Sequence, residues 1–103
     1  MDKAALEEEV VGVLKNIYDP EIPVDVFELG LIYEVKINDD MSVDTRMTLT
    51  SPNCPVAESL PKEVEDKIGE IDWVTASHVE VVFDPPWEQS MMSELAKLEL
   101  GFL

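Results

Sequence analysis

The chain has 103 residues, of which 46% are hydrophobic, so we expect one domain over residues 1–103 built on one modest core. Its 23 Asp and Glu residues against 7 Lys and Arg give a formal net charge of −16, which makes nucleic acid and anionic membrane surfaces poor partners. No apolar run approaches the roughly 20 residues of a membrane helix, and the single cysteine, Cys54, excludes an internal disulfide, so we expect a cytoplasmic protein.

The first predicted element is an amphipathic helix over residues 3–17. Its apolar residues recur at helical spacing, and glutamates occupy the other face. These apolar residues are Leu6, Val10, Val13, Leu14 and Ile17. Two prolines, Pro20 and Pro23, then exclude a helix and predict a rigid acidic loop over residues 19–25.

An antiparallel hairpin is predicted after this loop. Residues 31–37 and residues 43–49 each alternate with period two, which is typical of half-buried strands. The alternating set of the first strand is Leu31, Tyr33, Val35 and Ile37, and that of the second is Val43, Thr45, Met47 and Leu49. The short turn at Asn38-Asp39-Asp40 favours antiparallel pairing between the two strands.

A second helix is predicted from Pro55 to Ile68, with Gly69 as its stop. Pro61 lies too deep for a first-turn proline of that helix, so we expect a kink or a break near Leu60.

A third strand and a last helix complete the predicted elements. Val79, Val81 and Phe83 are the expected inward face of the strand, which Asp84-Pro85-Pro86 ends. The last helix is expected over residues 87–98, and its predicted apolar residues are Met91, Leu95 and Leu98. The order α-β-β-α-β-α predicts an α/β protein of the α+β type, in which helices pack on one face of a small, mostly antiparallel three-stranded sheet.

Cys54 is the most informative position for chemistry. It follows a strand and precedes Pro55, a residue favoured at the first position of a helix, so it is predicted to be a helix N-cap. Backbone N–H groups and the helix dipole favour the thiolate there, whereas the net charge and Glu58 oppose it. The local pattern therefore fits a thiolate that binds metals or attacks electrophiles, and it fits a buried inert cysteine equally well.

Other polar residues are grouped around this position. Asp19 and Glu21 flank Pro20, where their carboxylates could bind a hard cation or a basic group of a partner, or simply cap a solvated turn. The hydroxyls of Thr48, Thr50 and Ser51 at the end of the second strand could donate to a thiolate or a bound sulfur, although capping and strand propensity also explain them.

For two further residues, His78 and Trp87, a structural role is favoured over a functional one. His78 should share a sheet face with Glu80 as a surface imidazole instead of a metal ligand. Trp87, after the rigid Asp84-Pro85-Pro86, should pack over the end of the core instead of forming a docking edge. A Gly-rich phosphate loop, a Ser-His-Asp order, a paired CxxC and a His-rich spacing are all missing from the sequence, so the usual cofactor and hydrolase classes lack support.

Four separated segments, in one order along nearly the whole chain, resemble a known family. They are Asp19-Pro20-Glu21-Ile22-Pro23-Val24, Glu28-Leu29-Gly30-Leu31-Ile32-Tyr33, Thr48-Leu49-Thr50-Ser51-Pro52-Asn53-Cys54-Pro55 and Phe83-Asp84-Pro85-Pro86-Trp87. Together they resemble the MIP18 family, formerly a domain of unknown function, which includes bacterial SufT proteins and PaaD-type proteins. Ser51 stands where many relatives carry threonine, and Pro61 interrupts a helix that relatives often keep free of proline.

The resemblance implies an iron–sulfur cluster assembly domain-like fold and an accessory or carrier role in iron–sulfur protein maturation, not a catalytic one. It implies iron–sulfur scaffold or client proteins as partners. Transferred by position, the proposed site of the family consists of Asp19, Glu21, Thr50, Ser51 and Cys54.

The cysteine count limits what this site can hold. A cluster takes about four thiolate ligands, and each chain supplies one, so we expect no stably bound cofactor. We expect instead that Cys54 is a transient ligand to an iron–sulfur cluster, completed by Asp19, by Glu21, by a small thiol, or by a second chain in a homodimer.

Two alternatives remain open from the sequence. One is a PaaD-like subunit that supports a phenylacetate-type multicomponent oxygenase, although PaaD-type relatives often carry extra cysteines in a C-terminal extension and this chain ends at Leu103 with none. The other is a thiol-dependent enzyme that uses Cys54 as its nucleophile. That enzyme needs a base within hydrogen-bond reach, and His78 is predicted on a different element.

Overall fold

The structure, a computed structural model, describes residues 2–19, 22–50 and 59–101. In chain order its helices and strands are α1 (Lys3–Leu14), β1 (Ile32–Ile37), β2 (Val43–Met47), α2 (Ser59–Gly69), β3 (Ser77–Val81), a 3-10 turn (Gln89–Met91) and α3 (Glu94–Glu99). The predicted order of elements and the α+β class are confirmed. Within the described ranges, no helix is both long enough and apolar enough to span a bilayer.

Helix α1 begins at Asp2, whose carboxylate accepts a 2.7 Å hydrogen bond from the Ala5 N–H and satisfies one of the free donors of the first turn. Its apolar stripe is buried as predicted and contributes Leu6, Val10 and Leu14 to the core, followed by Ile17. The helix packs against α2 and β1.

The three strands lie side by side in the order β1-β2-β3. The β1–β2 pair is antiparallel as predicted, but β2 and β3 run parallel, so the sheet is mixed rather than mostly antiparallel. The physical reason is the connection: α2 lies between β2 and β3 and provides the long crossover that parallel strands require.

The two faces of the sheet differ in polarity. The inner face is covered by α1 and α2, and β2 alternates buried and exposed residues, with Val43, Thr45 and Met47 pointing inward. The outer face, which we call the open face, carries Glu34, Lys36, Asp44, Arg46, His78 and Glu80. The prediction that helices cover one face is therefore confirmed for α1 and α2.

A register shift interrupts the alternation of β1. Ile32 pairs with Met47 and Glu34 pairs with Arg46, so Tyr33 is an extra residue in a β-bulge. The bulge explains why Ile32 and Val35, three positions apart, both pack against the core, whereas strict period two would have placed them on opposite faces.

Two sequence expectations on local structure are corrected, the extent of β3 and the continuity of the last helix. Helix α2 is continuous from Ser59 through Pro61 to Gly69, so Pro61 lies in the first described turn; the predicted start at Pro55 and the chain before Ser59, where a break near Leu60 would fall, lie outside the described residues. Strand β3 ends at Val81, so Phe83 lies beyond the strand and is 46% exposed.

The expected last helix is divided between the 3-10 turn and α3, because Ser93 begins a new helix by accepting a 3.1 Å hydrogen bond from the Ala96 N–H. The buried residues of this segment are Met92 and Ala96, whereas Leu95 and Leu98 are exposed.

Candidate functional site

The acidic loop is closed by backbone pairing at its base. Tyr18 and Asp25 form an isolated antiparallel bridge, and the Val26 N–H donates a 2.8 Å hydrogen bond to the Ile17 carbonyl. Asp19 lies inside this closure and is only 4% exposed. Its Oδ1 accepts a 3.2 Å hydrogen bond from the Ile22 N–H, so the carboxylate stiffens the loop from within.

The turn between the acidic loop and β1 is held by Asp25 and Gly30. The Asp25 carboxylate accepts a 2.9 Å hydrogen bond from the Glu28 N–H, and its carbonyl accepts a 3.0 Å hydrogen bond from the Leu29 N–H. Gly30 has φ +80°, and a Cβ there would lie 2.3 Å from the Met91 carbonyl oxygen. Glycine is therefore required at position 30 for both its backbone angle and its closeness to residue 91.

The end of β2 carries the predicted hydroxyl residues. Thr48 is fully buried, and its Oγ1 has no hydrogen-bond partner among the described residues. Leu49 is buried after it, and Thr50 is half-buried. The end of β2 therefore carries two threonine side chains, Thr48 and Thr50, that are wholly or partly shielded from water.

A relay of backbone hydrogen bonds joins the acidic loop to the end of β2. The Val26 N–H donates to the Ile17 carbonyl at 2.8 Å, the Leu31 N–H to the Val26 carbonyl at 3.1 Å, and the Thr48 N–H to the Leu31 carbonyl at 2.8 Å. These bonds place the loop at the end of the sheet where β1 begins and β2 and β3 end. We call this end of the sheet, where β1 begins and β2 and β3 end, the loop end.

The last part of the chain packs over this turn. The Trp87 Nε1–H donates a 2.7 Å hydrogen bond to the Leu29 carbonyl, and the Tyr33 hydroxyl donates at 2.8 Å to the Pro85 carbonyl, which follows a cis Asp84–Pro85 peptide bond. Trp87 is half-buried against the core, which agrees with the structural interpretation of its sequence position. The structural roles of Gly30 and Tyr33 were not predicted from the sequence; the glycine directly before the predicted strand at Leu31 was the available signal.

The structure describes two of the five predicted site residues. Asp19 and Thr50 both belong to the loop end. Glu21, Ser51 and Cys54 lie outside the described residues, so the predicted N-cap position of Cys54 and its role as a transient metal ligand stay predictions. Among the residues that the structure does describe, no group of three or more His, Cys, Asp or Glu side chains could hold a metal ion.

His78 lies where the sequence predicted it. It occupies the open face beside Glu80, opposite Asp44 in the register of the parallel pair. Together with Glu34 and Arg46, these residues line a shallow hollow on the middle of the sheet. His78 therefore belongs to a surface row of charged side chains.

Charge pairs support the turn and the far end of the sheet. Lys15 lies 3.9 Å from the Glu28 carboxylate and 5.3 Å from the centre of the Phe27 ring. At the end opposite the loop end, the Lys3 ammonium hydrogen-bonds the Asp39 carboxylate and lowers the pKa of Asp39. Hydrogen bonds from Ser42 likewise lower the pKa of Asp40.

Comparison with known proteins places these features in a family. The model of the family described as "Iron-sulfur cluster assembly protein" matches residues 7–81. The chain is 47% identical to an Fe-S protein maturation auxiliary factor of Porphyromonas gingivalis, over 94% of this chain and 92% of that protein. It is 39% identical to the Fe-S protein maturation auxiliary factor YitW of Bacillus subtilis, over 94% and 95% of the two chains.

Solved structures give the same result. A crystal structure of a domain of unknown function from Bacillus anthracis superposes with a TM-score of 0.89 at 34% identity, covering 97% of this chain and 95% of that one. A conserved hypothetical protein from Thermotoga maritima superposes with a TM-score of 0.80 at 39% identity, covering 92% and 93%. The family model and the relatives cover most of this chain, which belongs to the iron–sulfur cluster assembly protein family.

Proposed function

We propose that this protein is a cytoplasmic accessory factor that matures iron–sulfur proteins by handling a cluster transiently at the loop end of its sheet. The accessory role in iron–sulfur cluster assembly follows from the family and from relatives named as maturation auxiliary factors at up to 47% identity. The site, its ligands and its partners are the proposal.

One structural observation carries the location of the site. The hydrogen-bond relay through Ile17, Val26, Leu31 and Thr48 joins two of the segments that the family pattern singled out, the acidic loop and the end of β2. Asp19 and Thr50 are thereby held on segments that share one end of the sheet. Cys54, four residues after Thr50 in sequence, is the proposed ligand there.

The chemistry of the proposed site favours transfer over storage. One thiolate per chain is too few for the roughly four ligands that a cluster takes. The chain would supply Cys54 as one ligand while a scaffold or client protein supplies the others, and release would exchange the single iron–thiolate bond to Cys54 for a bond to a ligand of the receiving protein. Glu21 and Asp19 would contribute negative charge that opposes tight retention of an anionic cluster.

The proposed partners are scaffold proteins and client apoproteins with basic surfaces. The net charge of −16 attracts such surfaces over a distance set by ionic strength. Binding should therefore weaken as salt is raised from about 0.05 M to 0.5 M, because exposed charges are screened. We propose no catalytic role and no resident cofactor.

Deletion of the gene in its host, with complementation under iron limitation, tests this function. Several iron–sulfur enzymes and one enzyme without a cluster would be assayed in extracts. We expect the wild-type gene to restore the iron–sulfur activities selectively and Cys54→Ala to fail. His78→Ala, an exposed change on the open face, is the matched control and should complement fully.

The same strains separate the alternatives. Normal activity of every iron–sulfur enzyme in the deletion strain would remove the accessory role, and loss confined to a ring-modifying oxygenase would favour a PaaD-like subunit. Full complementation by Cys54→Ala would be compatible with the accessory role but would rule out the proposed site at Cys54. Immunoblots of the complementing proteins establish that each variant accumulates equally.

A further inference from the structure

The two edge strands of the sheet, β1 and β3, differ in whether their outward-facing backbone groups have hydrogen-bond partners. On β3, the Glu65 carboxylate from α2 accepts a 3.2 Å hydrogen bond from the outward-pointing Val79 N–H, which occupies the centre of that edge. On β1, the chain's last segment reaches the beginning of the strand, where Tyr33 bonds Pro85. Beyond Tyr33, the described residues provide no hydrogen-bond partner to the outer side of β1.

The register identifies which peptide groups of β1 point outward. Met47 accepts from the Val82 N–H and Val43 donates to the Ala76 carbonyl, so the odd-numbered residues of β2 bond β3 and its even-numbered residues bond β1. Residues of an antiparallel ladder alternate between facing the partner strand and facing away. Glu34 and Lys36 therefore bond β2, whereas Val35 and Ile37 direct their N–H and C=O groups to the open edge.

The side chains around Val35 are complementary to themselves. Glu34 and Lys36 flank Val35 on the exposed face with opposite charges, and the Glu34 side chain is 56% exposed. If a second copy of β1 pairs antiparallel about a two-fold axis at Val35, each Glu34 lies opposite the Lys36 of the other copy, and Tyr33 lies opposite Ile37. Opposite charges at facing positions stabilise a sheet, and like charges destabilise it.

The pairing would continue an alternation already present within each chain. Arg46 contacts Glu80 at 3.4 Å and Glu34 at 4.0 Å, and Asp44 faces Lys36 in the β1–β2 register. Across the joined sheet, one row would read Glu80, Arg46, Glu34, then Lys36, Asp44 and His78 of the second copy. From Glu80 to Asp44 of the second copy, each charged side chain in this row is followed by one of opposite sign.

Other centres of symmetry lack this match. An axis at Ile37 would place Lys36 opposite Asn38, and an axis at Tyr33 would place Glu34 opposite Ile32, so neither brings opposite charges together. We propose that the protein forms a symmetric dimer in which two β1 edges join about Val35 into one six-stranded sheet.

The geometry of this dimer has a consequence for the loop ends. Antiparallel pairing about Val35 separates the two Ile32 residues by six residues, or about 20 Å along the strands. The two acidic loops then lie at opposite ends of the joined sheet, and each works without the other. The dimer is independent of the proposed function, since none of its contacts uses a proposed site residue.

Sedimentation equilibrium of the full chain at about 0.15 M salt, from micromolar to millimolar protein, tests the dimer. This ionic strength screens the long-range repulsion between two acidic chains and leaves contacting pairs effective. We expect Glu34→Lys and Lys36→Glu each to weaken dimerisation on the order of tenfold, because each converts two facing pairs to like charges. The double variant Glu34→Lys/Lys36→Glu should recover most of the loss.

Glu80→Lys is the matched control, since it makes the same charge change as Glu34→Lys on the open face but at the far strand. It should leave the dimerisation constant within about twofold. Hydrogen exchange supplies a second measurement: the Val35 amide should become more protected as protein concentration rises. A chain that stays monomeric to millimolar concentration, or a dimer that both single variants leave unchanged, overturns the proposal, and binding of an extended peptide by such a monomer would assign the edge to another protein.

Discussion

The indole N–H of Trp87 donates a 2.7 Å hydrogen bond to the carbonyl oxygen of Leu29, which lies 58 residues earlier in the chain. The bond joins the Phe83–Trp87 segment to the Glu28–Tyr33 segment, two of the four segments that resemble the family. Both segments therefore have a structural role, since together they fix the turn that supports the acidic loop.

Loss of the Trp87 hydrogen bond should destabilise the protein measurably. Trp87→Phe keeps an aromatic ring but removes the donor, so we expect a loss of about 1–2 kcal/mol in the free energy of unfolding. Trp73→Phe is the control, because Trp73 is 52% exposed and makes no hydrogen bond to another described residue; it should change stability by less than about 0.5 kcal/mol. Urea unfolding followed by circular dichroism measures both, and equal effects would contradict the prediction.

Two glycines should respond to alanine in opposite directions. Gly30→Ala places a Cβ 2.3 Å from the Met91 carbonyl oxygen at φ +80°, so we expect at least about 2 kcal/mol of destabilisation. Gly12 lies within α1, and a Cβ at that position would meet nothing within 4 Å, so Gly12→Ala should stabilise by about 0.5–1 kcal/mol. Thermal unfolding of the two variants against wild type decides, and a tolerated Gly30→Ala would show that the turn can move away from residue 91.

The cap on the β3 edge should be visible in amide exchange. Glu65→Ala removes the acceptor for the Val79 N–H, so that amide should exchange faster, with a stability loss of about 0.5–1.5 kcal/mol. Glu65→Gln retains an acceptor oxygen and should behave more like wild type. Glu63→Ala, an exposed change on the same helix, is the control for lost charge. Unchanged exchange of Val79 in Glu65→Ala would argue against the cap.

We expect the Lys3–Asp39 pair to make a small contribution to the stability of the folded protein that is lost in acid. Because Lys3 lowers the pKa of Asp39 in the folded chain, the pair stabilises the protein above the usual carboxyl pKa, and this contribution is lost as the pH falls through the lowered value. Lys3→Met should raise the pKa of Asp39 towards its usual value. Carbon-detected NMR titration of the Asp39 carboxyl measures it, and an identical midpoint in the variant would disprove the contact.

Local periodicity was enough to predict the elements that bury one face. The helical stripe from Leu6 to Leu14 and the inward residues of the strand from Val43 to Met47 are buried as predicted. In both elements the regular spacing of the apolar residues places them on one face, and burial of that face determines the structure. The parallel β2–β3 pair was not predictable in this way, since strand direction depends on the path of the crossover and not on the pattern within either strand. The exposure of Phe83 follows from the early end of β3, which no local signal marked.

The candidate site was predicted mainly from a resemblance and only partly from chemistry. Asp19 combines a proline-flanked turn with burial, and its hydrogen bond to Ile22 could be expected from the turn propensity of aspartate. The relay that joins its loop to Thr48 depends on contacts between residues distant in sequence, which a residue pattern does not reveal. Tyr33 illustrates the same limit, because its hydroxyl bonds a residue 52 positions away.

The relay from Ile17 to Thr48 also constrains which changes in chain length this fold can accept. Its middle step is the Leu31 N–H bonded to the Val26 carbonyl, so a residue inserted or deleted between these two positions would shift the anchor of the acidic loop by one peptide unit relative to the strand. Substitutions of exposed side chains in that turn leave the anchor in place. The number of residues between Val26 and Leu31 thus sets the distance from the acidic loop to the end of β2. We expect homologous chains to keep this number of residues even where the side chains of the turn differ.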